Sequence, residues 1–260
     1  MQNDSPFETF RLFYGEEMLR RKSIQLIDSY RSGLSKVQLE KVFWQVFRVE
    51  PATFCKDNQI FQLFNEIMME YHHNEAFIKS TFLKWAMSRS KNAGTWAYEI
   101  PSGESRADLC YFGRNLTAYE IKTDFDSLDR LSRQLEDYLH CFEQVYVIMS
   151  AKRYYSSTLV LPDPVGIILY REKEKSVSYC EIKKAQRLVE TRCELSRAGD
   201  DEQLTDLKQW RAIIRKTYAP HWDFFLEHKQ SVYEIDYQWV FKNRCLPPYL
   251  ANPNRPISSR

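Results

Sequence analysis

The sequence predicts an α/β fold, and three stretches carry that prediction. Residues 107–112 and 116–122 are runs of β-formers on either side of Gly113-Arg114-Asn115, a turn-like triplet, so they read as a hairpin. From Asp126 to Cys141, Leu128, Leu131, Leu135 and Leu139, with Phe142 just beyond, recur at helical spacing. Gln144 to Met149 is a short apolar run of the kind that forms a buried strand.

The hairpin has a chemical consequence. Centred on Arg114, it sets Asp108 opposite Glu120, with Cβ atoms ~5 Å apart on one face. Lys122 lies two residues beyond Glu120 and points to the same side. Two carboxylates that close repel each other unless a divalent cation lies between them, so removing one is expected to leave the metal-free fold as stable or more so. Magnesium suits the place, because it takes oxygen ligands, needs one or two carboxylates and keeps waters and phosphates in its shell.

Asp108, a turn, Glu120-Ile121-Lys122 and then Gln134-Leu135-Glu136-Asp137-Tyr138 on the following helix resemble the PD-(D/E)XK phosphodiesterase superfamily, in its RecB-type variant with a Q-x-x-x-Y helix. The wording is similar to small, uncharacterised bacterial members over residues 74–185, with Ala107 where the superfamily has proline. Gln134 and Tyr138 share a helix face at i, i+4. The resemblance implies a restriction-endonuclease-like core: a central mixed β-sheet flanked by helices, in the order helix, three strands, helix, strand. It implies a nuclease-like domain over 73–260 with its motifs in 74–150, behind a helical N-terminal unit over 1–72.

The resemblance also implies a divalent-metal-dependent nuclease that hydrolyses phosphodiester bonds in nucleic acid, DNA rather than RNA, in phage defence, mobile-element biology or repair. Mg²⁺ or Mn²⁺ would be held by Asp108, Glu120, the backbone carbonyl of Ile121 and Glu75 from the preceding helix. Lys122 would orient the attacking water and stabilise charge on the phosphate, and Gln134 would position Lys122 or the water. Tyr138 would contact substrate or support its helix, while Arg106 and Arg130 would reach phosphates. The competing reading is a catalytically inactive module of the same fold that binds nucleic acid or a protein partner. Glu75 serves equally as a complement to its helix dipole. Glu99 is either a site residue or a surface carboxylate, and His72 and His73 are either ligands or a solvated cap.

Composition sets bounds. The chain has 260 residues, 43% of them hydrophobic, enough for one large core or a core with an appendage. A net charge of +2 leaves attraction to nucleic acid to local patches. Six cysteines without a C-x-x-C pair argue against structural zinc and fit a reducing cytoplasm. The first residues lack an apolar signal core, and no run approaches eighteen apolar residues, so a cytoplasmic protein without a membrane span is expected.

The remaining segments are mostly helical in pattern. Residues 14–32, 35–48 and 57–71 read as helices, with Ser35 as N-cap and Gln38 three residues on. A helix over 74–88 turns Ile78, Phe82 and Trp85 inward, and a strand covers 96–100. Residues 165–170 and 176–182 read as a strand pair around a charged turn. A helix over 202–217 carries the row Lys208, Arg211 and Arg215, which either tracks a phosphate backbone or is a solvated face. The aromatic tail from Tyr218 reads as core, interface or stacking surface. The helical N-terminus and this tail are the candidate surfaces for a protein partner or a second copy of the chain.

Overall fold

A computed structural model of the chain describes residues 6–29, 35–55, 59–72, 74–89, 94–173, 176–188, 195–196, 203–204, 207–227 and 232–243. In chain order these hold α1 (Pro6–Tyr14), α2 (Glu16–Ser29), α3 (Lys36–Phe47), α4 (Ile60–Tyr71) and α5 (Glu75–Arg89). Then come β1 (Thr95–Ser102), β2 (Ser105–Phe112), β3 (Leu116–Lys122), α6 (Leu131–Cys141), β4 (Gln144–Ser150) and α7 (Ala151–Ser156). The chain continues through β5 (Gly166–Lys173), β6 (Ser176–Lys183), β7 (Leu195–Ser196), β8 (Gln203–Leu204), α8 (Leu207–Glu227) and α9 (Glu234–Asn243). It divides into two compact units: Met1–Ser80 with Glu227–Arg260, and Thr81–Leu226.

The first unit is helical. The segment read as one helix from residue 14 is two, because Gly15 takes a left-handed φ of 75° between α1 and α2. Phe10, Leu19, Leu26, Leu39, Phe43 and Leu63 are fully buried in its core. Ser35 caps α3 as the pattern predicts: its hydroxyl accepts from Gln38 N, and the Gln38 side chain accepts from Ser35 N. Ser35→Ala is expected to cost about 1 kcal/mol, read as a lower urea midpoint with unchanged slope. α9 belongs here rather than with the sheet. Ile235 joins the helical core, the Asn65 amide donates to Glu234 (3.0 Å), and Ile235 N donates to Asn65 Oδ1 (3.1 Å). The division after residue 72 expected from sequence therefore misses this return of the chain.

The second unit is built on a six-stranded mixed sheet in the order β1-β2-β3-β4-β5-β6, flanked by helices. The β1/β2, β2/β3 and β5/β6 pairs are antiparallel, and β3/β4 and β4/β5 are parallel. α6 supplies the crossover that a parallel β3/β4 pair requires. The hairpin register is the one centred on Arg114, with Leu109 opposite Tyr119 and Phe112 opposite Leu116. β4 is buried along nearly its whole length, as a strand covered on both faces must be. On one face Phe82 of α5 packs against Trp96, Tyr119 and Tyr179.

Three boundaries differ from the sequence pattern. α6 starts at Leu131, not Asp126, because Thr123 N and Oγ1 bond Asp126 Oδ2 (2.6 and 2.7 Å) and Asp129 N bonds Ser127 Oγ (3.1 Å). These local side-chain bonds offer the backbone an alternative to the helix. α7 has no periodic pattern to announce it, and Ser150 caps it by accepting from Arg153 N (3.0 Å). α8 starts at Leu207, five residues later than its pattern, and continues through Pro220.

Candidate active site

One row across three strands assembles the candidate site. The β1/β2 ladder pairs Tyr98 with Leu109 and Ile100 with Ala107, so Glu99 stands level with Asp108. One step beyond the Leu109–Tyr119 pair, Asp108 stands level with Glu120. In an antiparallel ladder such neighbours share a face, with Cα atoms ~4.5–5.5 Å apart. Lys122 ends β3, so all four residues gather at one end of the sheet.

Each side chain in the row is held. Asp108 Oδ2 accepts from the Ile121 backbone N–H at 2.7 Å. Glu120 is 2% exposed; its Oε1 accepts from Lys122 Nζ and its Oε2 from the Tyr138 hydroxyl, both at 2.7 Å. Lys122 Nζ also donates to Gln134 Oε1 at 2.9 Å. The Tyr138 oxygen is in addition 2.8 Å from the Arg106 carbonyl. The i, i+4 pair on α6 thus reaches across to the sheet, Gln134 to Lys122 and Tyr138 to Glu120.

The electrostatics follow from burial among carboxylates. Burial first, then the charge of Glu120 and the hydrogen bond to it, then Asp108, push the Tyr138 hydroxyl far above its ordinary range, so it remains a neutral donor. The buried Cys110 thiol is pushed up by desolvation, then by Asp108, Glu99, Cys141 and Glu120.

Glu99 is the residue that the sequence left open. It has a φ of 54°, in the left-handed region that a glutamate rarely adopts, within an otherwise regular strand. Non-glycine residues persist there only when their surroundings over-determine them. Arg106 Nε pairs with its Oε2 at 2.7 Å. A carboxylate oxygen of Glu99 lies within 4.8 Å of one of Asp108, close enough for both to bind one ion. No pattern in the sequence marks the turned backbone that puts Glu99 here.

Ile121 follows Glu120 on β3. Arg106 is largely exposed beyond its pairing with Glu99, and Arg130 is exposed at the start of α6. Glu75 lies in the first turn of α5, within the stretch counted with the first unit, and pairs with Lys79 at 2.5 Å. His72 closes α4, and His73 lies outside the described residues. Arg211 does not stand in a solvated row: its Nη1 donates to the Gly113 carbonyl (2.7 Å) and its Nη2 pairs with Glu143 (3.2 Å). Those partners lie at the turn end of the hairpin, away from Lys122. Arg215 is exposed, and the side chain of Lys208 lies outside what is described.

Residues 68–196 match the family described as Bacteriophage P4 protein cII. That span contains the Glu99, Asp108, Glu120, Lys122, Gln134 and Tyr138 arrangement. The protein cII of Enterobacteria phage P4 is 35% identical over 87 residues, which is 34% of this chain and 33% of that protein. The chain therefore spans about a third of the length of this relative. A solved structure, the SPO1766 protein of unknown function from Silicibacter pomeroyi, is 13% identical; the alignment covers 53% of this chain and 80% of that one, with a TM-score of 0.32. Among the described residues no helix is long and apolar enough to cross a membrane.

Proposed function

We propose that the second unit has a restriction-endonuclease-like core and acts as a divalent-metal-dependent nuclease, cleaving phosphodiester bonds in DNA in preference to RNA. The observation that carries this reading is the hydrogen-bonded chain Gln134–Lys122–Glu120–Tyr138 beside Asp108 at one end of the sheet. These are the residue types, in the order, that the PD-(D/E)XK resemblance assigns to the chemistry. The similar protein cII comes from a phage, which fits work on mobile-element or phage DNA.

Glu99, Asp108 and the Ile121 carbonyl would hold Mg²⁺ or Mn²⁺, with Glu120 behind them. A bound ion supplies Lewis-acid polarisation of the phosphate and a more acidic water. Glu75 is offered as a further ligand. Lys122 acts on the substrate directly. Glu120 and Gln134 engage two of its three N–H donors, and the third serves a phosphate oxygen or the attacking water. Tyr138 keeps Glu120 in place without competing for the proton. Arg106 and Arg130 are the cations for flanking phosphates, and Arg215 is a more distant candidate.

A second reading has its own support. Both Glu120 oxygens are satisfied within the fold, as they would be in an inactive descendant that binds nucleic acid or protein. Isothermal calorimetry separates the two. Titration with MnCl₂ is expected to give saturable binding that Asp108→Asn removes. Retained DNA binding with no metal heat in the wild-type protein would favour the inactive module.

A further inference from the structure

The segment that leaves β3 presents a phenyl ring to solvent. Phe125 is 89% exposed, and Tyr155 of α7 is 69% exposed. Both lie at the end of the sheet that holds Lys122. Phe125 follows Lys122 by three residues, and α7 begins directly after β4, whose Met149 pairs with Lys122.

The backbone under Phe125 is clamped on both sides. Asp126 Oδ2 accepts from Thr123 N and Oγ1 at 2.6 and 2.7 Å. Ser150 Oγ donates to Asp124 Oδ1. Arg153 Nη1 donates to the Asp124 carbonyl at 2.7 Å, and its Nη2 donates to the Asp126 carbonyl. One guanidinium therefore holds the carbonyls before and after Phe125, and the helix that carries it also carries Tyr155. An apolar ring held in water contributes little burial energy to its own fold. The clamped backbone holds this exposed ring at the end of the sheet that carries Lys122, open to a partner with a flat apolar face.

We propose that Phe125, together with Tyr155, forms a stacking platform for unpaired bases of the strand whose phosphate enters the Asp108–Lys122 site. The site then takes single-stranded or locally opened nucleic acid rather than continuous duplex. This inference rests on the nuclease reading. Three residues of chain place the Phe125 backbone within about 11 Å of Lys122. A phosphate at Lys122 therefore brings neighbouring bases to the ring. Every base has a π-face, whereas bases stacked inside a duplex offer none to a side chain. The exposed Arg130 and Lys152 supply cations for the backbone of such a strand.

The test uses the full chain with Ca²⁺ in place of Mg²⁺ and fluorescence anisotropy. The probes are an oligothymidylate, the same strand built from abasic nucleotides, and a blunt duplex. Phe125→Ala is expected to weaken oligothymidylate binding roughly 5- to 100-fold, to leave the abasic strand and duplex unchanged, and to add to Tyr155→Ala. Phe125→Trp is expected to restore binding. Equal losses on the abasic strand, or none on oligothymidylate, would overturn the platform. So would a wild-type self-association, seen by sedimentation, that Phe125→Ala disperses without changing strand binding. Failure of the nuclease reading looks different: the wild-type protein itself would show no metal-dependent cleavage.

Discussion

Asp108→Asn is expected to abolish metal-dependent cleavage while the protein stays folded. The asparagine oxygen can still accept from Ile121 N–H, but the charge shared with Glu99 toward a cation is gone. Alanine is the poorer test. The sequence alone suggests that deleting one of two close carboxylates relieves repulsion and leaves stability equal or higher. The structure shows that Asp108 also satisfies a backbone donor, so Asp108→Ala should cost roughly 1–3 kcal/mol. Single-turnover assays on labelled DNA with Mg²⁺ and Mn²⁺, paired with urea unfolding, measure both quantities. An asparagine variant that cleaves like wild type would locate the chemistry elsewhere.

Lys122→Ala is expected to lower the single-turnover rate by ~10²-fold or more at saturating DNA, with metal affinity little changed. Gln134→Ala should move the rate in the same direction, since it leaves Lys122 Nζ held by Glu120 alone. Lys122→Ala also carries a stability cost. The Lys122 side chain is 10% exposed and that of Glu120 2%, so removing the ammonium strands a buried carboxylate, a loss of about 3–5 kcal/mol. The double variant Glu120→Gln with Lys122→Met should recover most of that stability and none of the rate. Recovery of both would mean that Lys122 only neutralises Glu120. An unchanged rate in Lys122→Ala would remove it from the chemistry altogether.

The legible part of this protein was the part written in local periodicity. The triplet around Arg114 fixed the hairpin register, and with it the row from Asp108 to Glu120. The i, i+4 spacing of Gln134 and Tyr138 put them on one helix face, and Ser35 with Gln38 announced the start of α3. What stayed hidden depends on competition or on distance. Asp126 and Ser127 sit in a leucine-periodic stretch, yet their side chains bond nearby backbone and delay α6. The left-handed turn of Glu99 is imposed by its neighbours, and no residue type at 99 signals it. Arg211 looked like part of a basic stripe because its partners, Gly113 and Glu143, are remote in sequence.

Asn65 binds Glu234 and Ile235 across a separation of 169 residues in the first case, and that span contains the whole sheet. In chain order the protein is thus a host and a guest, the sequence of one unit being inserted between the two parts of the other's. During synthesis α1 to α4 leave the ribosome first, and the guest can close on contacts of its own. The host stays incomplete until α9 has emerged. A cut that keeps residues 73–260 would free the guest but take Ile235 away from the helices that bury it, so the separable piece ends near Leu226.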